Sequence, residues 1–330
     1  MVQRSQSALA TMLLAQRLVE TDAKPLTSAE YWRLVESVGD AGRLLGCSVA
    51  DLVSAHGLDP ALAERVAVLF DAARAFGFSL DQAEQSGIRV VVPVDEDYPR
   101  RLRDRLGRAA PALLYVVGDP ALLSTGLLGI VGSRNVAEAG AEVARRAAQA
   151  AAANTFGVVS GAARGVDQVA MEAVLAAGGT AAGVCADSLS RAARNRTYRQ
   201  AAITGQLCLC SPYRPTAGFT AATAMARNKI IYALAQATLV IAADADKGGT
   251  WFGATEALRQ RTGSVLVWRG AGEGNGNAGL VSHGAAAVES TDALFPLPDL
   301  DPQHLDPQHT AEQLTLPIPE LGHASRARAG

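Results

Sequence analysis

The sequence predicts an α/β protein in which a small all-helical region precedes a mostly parallel sheet with helices on both faces. Before residue 87, apolar residues recur with helical spacing and glycines end the helical segments. After residue 87, short apolar runs alternate with helical segments, and each run ends in a turn rich in glycine, serine or aspartate. Strands that alternate with helices pair in parallel, and helices then cover both faces of the sheet.

The composition sets the limits of this prediction. The chain has 330 residues, of which 49% are hydrophobic and 19% charged, and this excludes intrinsic disorder of the whole chain. At ~150 residues per domain, the length predicts about two domains, each with its own core. The formal net charge is −2, so the overall balance does not mark a general nucleic-acid binder. Function has to be sought in local clusters of residues.

Residues 1–86 are predicted to form the small all-helical domain. Thr27 or Ser28 can cap a helix in which Glu30 stands where a capping box requires it, and Gly39 ends that helix. Short helix-glycine-helix pieces of this kind resemble SAM-like or helix-hairpin-helix modules. A plain packing or docking domain fits the same pattern equally well.

Residues 87–295 are predicted to form the sheet domain. Its strand-like runs lie in the segments IRVVVPV, TGLLGIVGSRN, NTFGVVSGAARGVD, TAAGVCAD, GQLCLCSP, ATLVIAADADKGG and GSVLVWRG. The helical segments between them are 138–153, 166–177, 195–203, 221–235 and 255–261. In such a sheet the functional loops follow the carboxyl ends of the strands, so the turns after these runs are the first place to look for a site.

The remaining features of the chain concern its tail and its compartment. Residues 296–330 are rich in proline, contain a doubled DPQH and are predicted to be disordered, with LTLPIPE as either a docking motif or a spacer. The first twenty residues are typical of an amphipathic helix rather than a targeting signal, and no apolar stretch reaches the ~20 residues that span a bilayer. Four cysteines without paired spacing indicate a reduced, cytoplasmic protein without a metal site.

Two neighbouring loops have the composition of a phosphate site. The first contains Gly132, Ser133 and Arg134, and it follows a strand and opens a helix whose free N–H groups attract anions. The second also joins a strand to a helix, and its small residues leave backbone N–H groups accessible. Its candidate residues are Ser160, Gly161, Ala163, Arg164, Gly165 and Asp167. Asp167, in the first turn of the following helix, can cap that helix and orient the loop backbone, and a plain helix cap is the simpler interpretation of it.

The segment from residue 186 to residue 230 is locally basic. It holds seven basic side chains against one acidic, a local charge of +6 in a chain of net −2. A one-signed run of this size favours a polyanionic partner. Tyr198, Tyr213 and Phe219 lie among the arginines, as stacking platforms for single-stranded bases would, although any of them fits a core position too.

A fourth region follows the strand ATLVIA. Lys247, Gly248, Gly249 and Thr250 form a predicted loop that can receive a phosphate, with the lysine as a point charge. No nucleophile with a partner base can be identified, so no catalytic residue is predicted. A hydrolase would need a carboxylate near these loops, for which the best candidates are Glu256 and then Glu172.

The order of these motifs resembles that of the DprA/Smf family of DNA-processing proteins. The similar segments are DEDYPRRL with PALLYVVGD, then VGSR, SGAARGVD, RNKII, the glycine-rich loop after a strand, and GNAGLVSHGA. The resemblance covers about residues 79 to 290. It implies a Rossmann-like domain that binds single-stranded DNA, acts as a homodimer and helps to load a RecA-type recombinase in DNA uptake and recombination. It implies neither catalysis nor a cofactor.

The resemblance also assigns residues, with some departures. The family's GSR motif falls on Gly132 to Arg134, its SGxAxGID motif on Ser160 to Asp167, and the start of its RNR motif on Arg227 and Asn228. Lys229 replaces the second arginine of that motif, and Arg191-Ala192 stand where the family has Tyr-Pro before an asparagine, here Asn195. Met171 replaces a histidine, and a winged-helix domain found in many members is absent from this sequence.

Two other interpretations of the same loops stay open. The stretch from Arg227 to Glu256 resembles the arginine helix and GGxGT-x-x-E loop of LOG phosphoribohydrolases, in which the arginine clamps phosphate and the glutamate is the catalytic acid or base. Glu256 lies six residues after Thr250, nearly two helical turns on, instead of two or three residues after it, so the catalytic carboxylate would be displaced. A non-catalytic nucleotide sensor is the other alternative, because the same loops would bind a mononucleotide.

Overall fold

The computed structural model describes residues 4–298. The disorder predicted for the tail, residues 296–330, lies outside the described residues except for the first three positions. The helices of this part of the chain are α1 (Gln6–Ala15), α2 (Ser28–Val38), α3 (Val49–Ser54), α4 (Pro60–Asp71), α5 (Ala73–Gln85), α6 (Arg100–Leu106), α7 (Glu138–Ala153), α8 (Val166–Ala176), α9 (Leu189–Ala192), α10 (Arg196–Ile203), α11 (Ala221–Leu234), α12 (Gly248–Gln260) and α13 (Asn277–Ser282). The strands are β1 (Arg89–Val91), β2 (Leu114–Gly118), β3 (Leu127–Val131), β4 (Gly157–Ser160), β5 (Ala181–Val184), β6 (Leu207–Ser211), β7 (Ala237–Val240), β8 (Ser264–Trp268) and β9 (Ala286–Val288).

The strands form one sheet in the order β1-β2-β6-β5-β4-β3-β7-β8-β9. From β6 to β9 all neighbours are parallel, whereas β1 and β2 join one edge in antiparallel pairing. Helices cover both faces, with α7 packed on α8 and α11 packed on α12. The predicted α/β class and the Rossmann-like, mostly parallel sheet are confirmed. The order reverses beside β3, which pairs with β4 on one side and with β7 on the other.

Helix α2 begins and ends at the signals that the sequence predicts, whereas Gly77, predicted to end a helix, lies within α5. Thr27 and Glu30 form a reciprocal capping box at the start of α2, and Gly39 follows its end with a φ of +83°. This helical region is fastened to the sheet region through buried polar groups. The Trp32 indole donates to the Ala110 carbonyl at 2.8 Å, and the Arg17 N–H donates to the Tyr115 hydroxyl at 2.8 Å. The domain extents 1–86, 87–295 and 296–330 stay predictions.

Candidate nucleic-acid interface

The candidate loops meet at the carboxyl edge of the sheet. β3 and β7 are neighbours in the sheet. The chain continues from β3 to β4 on one side of this pair and from β7 to β8 on the other side. Ligands of open α/β sheets bind in the crevice at such a switch point. The loops that follow β3, β4 and β7 therefore border one crevice, as the sequence predicts.

The first cavity of this crevice lies between the β3 loop and the amino end of α12. Its volume is about 520 Å³. It is lined by eleven of the predicted residues: Gly132, Ser133, Arg134, Ala163, Asp167, Arg227, Asn228, Lys247, Gly248, Gly249 and Thr250. We call it the switch-point cavity.

A second cavity of about 420 Å³ lies at the ends of β4 and β5. The predicted residues that line it are Gly161, Ala163, Arg164, Arg191 and Asn195. Both cavities also share the residues Arg134, Ala163, Phe219 and Arg227. They are thus two lobes of one depression, which we call the main groove.

Two glycines allow the β3 and β4 loops to touch. A Cβ atom on Gly132 would lie 2.6 Å from Cγ2 of Val166. Gly165 has a φ of +86°, and its Cβ would lie 2.4 Å from the Ser133 carbonyl oxygen and 2.7 Å from Cα of Arg134. Only glycine fits both the left-handed backbone and the contact, so Gly165 fixes the backbone that carries the Arg134 side chain.

Arg227 and Asp167 form a buried pair of opposite charges beneath the second loop. Their side chains are 4% and 8% exposed, and a Cβ on Gly161 would lie 2.0 Å from Nη1 of the arginine and 2.4 Å from Oδ2 of the aspartate. Burial raises the pKa of Asp167, and Arg227 opposes that shift; burial likewise lowers the pKa of Arg227, and Asp167 opposes it. Each charge is thus stabilised by the other rather than by water.

Arg227 is held in place from below. Its Nη1 donates to the Val184 carbonyl at 2.5 Å, whereas its buried Nε has no hydrogen-bond partner among residues 4–298. The N–H of Nε is therefore a buried donor without an acceptor in this part of the chain. The predicted role of Asp167 as a helix cap is corrected here, because Gly165 occupies the N-cap position of α8 and Asp167 faces Arg227 from the first turn.

One aromatic ring is exposed where the two lobes meet. The guanidinium of Arg134 lies 4.5 Å from the ring centroid of Phe219, and the phenylalanine is 48% exposed. Of the three aromatic residues named as stacking platforms, Tyr198 is buried, and burial raises the pKa of its phenol. Tyr213 is half-buried and donates to the Thr223 carbonyl at 3.1 Å. Phe219 alone of the three offers an open face.

The sequence did not single out two apolar side chains at the rim of the switch-point cavity. Met225 and Phe252 are 43% and 47% exposed and both line this cavity. Their signal in the sequence is weak, because each lies within a helix whose other apolar residues are core positions.

The glycine-rich segment after β7 is the beginning of a helix and not a loop. α12 starts at Gly248, with Lys247 at the N-cap and no side chain bonded to the free N–H groups. The predicted start at residue 255 is therefore wrong by two turns. The correction leaves the chemistry in place, since a helix amino end attracts anions through the same N–H groups. Asn228 supports this end by donating to the Gly249 carbonyl at 2.8 Å.

Three of the predicted groove residues line neither lobe: Ser160, Lys229 and Gly165, the last of which supports the β3 loop as described above. The Ser160 hydroxyl is fully buried and donates to the Ile130 carbonyl at 2.6 Å, so it joins β4 to β3 beneath the surface. Lys229 lies outside the lining of both lobes, and its Nζ lies 3.0 Å from Oε1 of Glu256. The other candidate carboxylate, Glu172, accepts a hydrogen bond from Gln168 at 2.8 Å.

The cysteines and carboxylates do not gather into a metal-binding cluster in the described part of the chain. Cys185, Cys208 and Cys210 are buried thiols, and Cys47 is half-buried. No helix between residues 4 and 298 has the length and apolar character required to cross a bilayer.

A Rossmann-like sheet with a cation-lined groove at its switch point is typical of α/β proteins that bind phosphate groups. Comparison with known families gives a narrower result. The family described as DNA recombination-mediator protein A matches residues 89–297, and the chain belongs to this family. The resemblance to DprA/Smf proteins is thereby confirmed, and the chain is a DprA-like DNA-processing protein.

Individual relatives agree with this assignment. The chain is 27% identical over 228 residues to DNA processing protein DprA of Bacillus subtilis, covering 68% of this chain and 76% of that protein. Its fold matches the DprA structure of Streptococcus pneumoniae with a TM-score of 0.70 at 22% identity, over 91% of this chain and 100% of that one. It also matches a Helicobacter pylori DprA, studied for its single-stranded DNA binding mode, with a TM-score of 0.51 at 22% identity, over 62% and 92% of the two chains.

Proposed function

We propose that the main groove binds single-stranded DNA without sequence preference. The observation that carries the proposal is the Arg134–Phe219 pair at the junction of the two lobes, where a cation and an open aromatic face lie 4.5 Å apart. Single strands are bound by just this combination, because arginines hold the phosphates while unpaired bases stack on aromatic rings. The Helicobacter pylori relative, whose single-stranded DNA binding has been studied, supports the choice of ligand.

The phosphate contacts are distributed over both lobes. In the switch-point cavity we assign them to Arg134, Lys247 and the free N–H groups of Gly248 and Gly249. In the other lobe we assign them to Arg164, and Arg191, which is paired with Asp187, lines the same lobe beside it. The remaining predicted residues that line the groove act through their backbone or position these groups, and Arg227 lies beneath both lobes, paired with Asp167.

The biological role follows from the family. A recombination mediator that coats single strands would work in the cytoplasm as a homodimer and hand its DNA to a RecA-type recombinase. The family match and the Bacillus subtilis relative support this part of the proposal. Light scattering of the full chain tests dimerisation, and a strand-exchange assay with a purified recombinase tests loading.

Fluorescence anisotropy tests the binding proposal directly. A labelled oligothymidine and a labelled mononucleotide are titrated with the wild type, Arg134→Ala, Phe219→Ala and the control Arg33→Ala, whose arginine is exposed on α2 outside the groove. Loss of one phosphate contact reduces the slope of log K against log[salt] by about 0.7, which is about fivefold in affinity near ~0.1 M salt. Phe219→Ala should cost about 1–3 kcal/mol of binding free energy and leave that slope unchanged.

The mononucleotide arm tests the second candidate function. A volume of about 520 Å³ suits the switch-point cavity to a nucleotide as well as to a segment of a strand. Binding of the mononucleotide without the oligothymidine would replace our proposal by a nucleotide sensor or a phosphoribohydrolase. Tight oligothymidine binding that both groove substitutions weaken, and that the control leaves unchanged, would establish it.

A further inference from the structure

A second groove lies behind the main groove, between the amino-terminal helices and the sheet region. It runs between α5 and α10, has a volume of about 710 Å³, and we call it the α5–α10 groove. Tyr198 lines it and also lines the main groove. The segment that carries α9 and the start of α10 is therefore a shared wall. Arg191 and Asn195 face the main groove from this wall, whereas Arg194 and Arg199 face the α5–α10 groove.

The lining of the α5–α10 groove has charge of one sign. Among the described residues, 4–298, three arginines line it, Arg194, Arg199 and Arg214, and no carboxylate does. Within residues 4–298, Arg194 and Arg199 have no carboxylate within ion-pair distance. Arg214 lies 3.5 Å from Glu20, a side chain that is 93% exposed and free to leave. Uncompensated cations in a concave surface concentrate the field and favour a polyanion.

Apolar side chains lie between these arginines. Ile203, near the end of α10, is 73% exposed, and Ile88 and Val117 belong to the same lining. A ligand that carries charged groups alone would gain nothing from these apolar side chains. A single-stranded nucleic acid carries both kinds of group, since its phosphates suit the arginines and its unpaired bases suit the apolar floor.

We propose that the α5–α10 groove is a second segment of the single-stranded DNA path, which continues from the main groove across the shared wall. The proposal rests on the proposed function of the main groove and extends it. A strand held in the main groove presents its next phosphates to the wall, where Arg194 and Arg199 are a few residues from Arg191 along the same segment. Because the strand is continuous, its binding in the main groove raises the effective concentration of its next nucleotides at the α5–α10 groove. Modest contacts in the α5–α10 groove therefore contribute to the affinity of long strands. This gives the amino-terminal helices a role as one side of the DNA path.

An acidic peptide is the competing ligand for three arginines and an apolar floor. The shared wall favours the nucleic acid, because a strand already bound on one side reaches the other without a separate binding event. The two ligands differ in a measurable way. DNA binding in the α5–α10 groove depends on the length of the strand, whereas peptide binding there does not depend on DNA.

The experiment compares a short and a long oligothymidine, of about 8 and about 24 nucleotides, the shorter within the range that a single groove occupies. The variants are Arg194→Ala/Arg199→Ala and a matched control, Arg33→Ala/Arg100→Ala, which removes two exposed arginines that line neither groove. We expect the wild type to bind the long strand with a steeper salt dependence than the short one. The groove variant should lose about 1.4 in the slope for the long strand, or about 25-fold in affinity near ~0.1 M salt, and nothing for the short strand.

Two further measurements complete the test. Ile203→Glu places a negative charge on an exposed position of the groove and should weaken only the long strand. A labelled glutamate-rich peptide is titrated in parallel. Equal losses in the groove variant and the control, or no loss in either, would overturn the proposal, as would peptide binding that depends on Arg194 and Arg199 without any effect on DNA. Failure of the wild type to bind even the short strand would instead refute the function proposed for the main groove.

Discussion

The buried pair of Arg227 and Asp167 makes the strongest prediction about how the main groove is built. Replacing Arg227 by Met keeps most of the side-chain volume and removes the charge, so the Asp167 carboxylate, 8% exposed, loses its cation. The hydrogen bond to Val184 is lost as well. Removing one partner of a buried pair costs about 3–5 kcal/mol of the free energy of unfolding, since the remaining charge stays buried without its opposite charge.

The second substitution distinguishes an interaction from a simple packing defect. Asp167→Asn removes the other charge, and the double variant Arg227→Met/Asp167→Asn contains no buried charge at this position. Replacing a whole buried pair by neutral groups is often close to neutral. We therefore expect the double variant to be at least about 2 kcal/mol more stable than the sum of the single losses predicts, which is the coupling free energy of the pair.

Urea unfolding followed by tryptophan fluorescence measures all three variants, with Arg259→Met on the exposed face of α12 as the control. The pH dependence gives an independent check. Without Arg227 the raised pKa of Asp167 rises further, so the penalty for the ionised carboxyl is present at neutral pH and disappears below its unfolded value of 3.8. The loss in Arg227→Met should shrink as the pH falls toward about 4. Additive losses would refute the stabilising role of the Arg227–Asp167 pair. A loss under ~1 kcal/mol in Arg227→Met that still abolishes oligonucleotide binding would refute it too, and would make Arg227 a direct DNA contact.

Three further predictions concern separate parts of the chain. Gly165→Ala forces a Cβ to within 2.4 Å of the Ser133 carbonyl at positive φ, so it should destabilise the fold by about 2 kcal/mol in urea and weaken oligonucleotide binding by displacing the β3 loop. The hydrogen bond from Arg65 holds the pKa of Glu30 at about 2, below its ordinary 4.5. Its contribution to the free energy of unfolding is therefore fully present above pH 4.5 and is lost as the pH falls toward 2. The pH-dependent loss of stability in Arg65→Met should be about 1 kcal/mol above pH 4.5 and should shrink toward zero near pH 2. Glu256→Gln should leave oligonucleotide binding unchanged, and release of free base from nucleoside monophosphates by the wild type but not by this variant would restore the hydrolase alternative.

The helices and strands were largely predictable because their signals are local. Helix α7 has the predicted bounds of 138–153, and α11 ends one residue before the predicted limit of 235. α12 was predicted two turns too short because Gly248 and Gly249 have low helix propensity. Its first N–H groups need no acceptor within the helix, so glycines at that end cost little, and the tertiary contact with Asn228 determines where the helix begins.

The charges of the site were also visible in the sequence, but their burial was not. Arg227 and Lys229 both belong to α11, and residues two apart on a helix point in different directions. Only Arg227 can face the main groove, and Lys229 is turned toward Glu256 on α12. Ser160 was misplaced for a similar reason: it is the last residue of β4, and its side chain points into the sheet. Such choices depend on which face of an element meets the core, and single positions in a sequence do not specify that.

The salt dependence of short-strand binding follows from which of these charges are free. Arg227 is largely neutralised by Asp167, and Arg191 is paired with Asp187, so neither adds much to the long-range attraction of the main groove. The cations of the main groove that have no ion pair within residues 4–298 are Arg134, Arg164 and Lys247. Three phosphate contacts correspond to a slope of about −2 in log K against log[salt] for a strand confined to this groove. A slope of about −3.5 for a short strand would mean that the paired cations exchange their carboxylates for phosphates, and Arg191→Ala would then flatten it as much as Arg134→Ala.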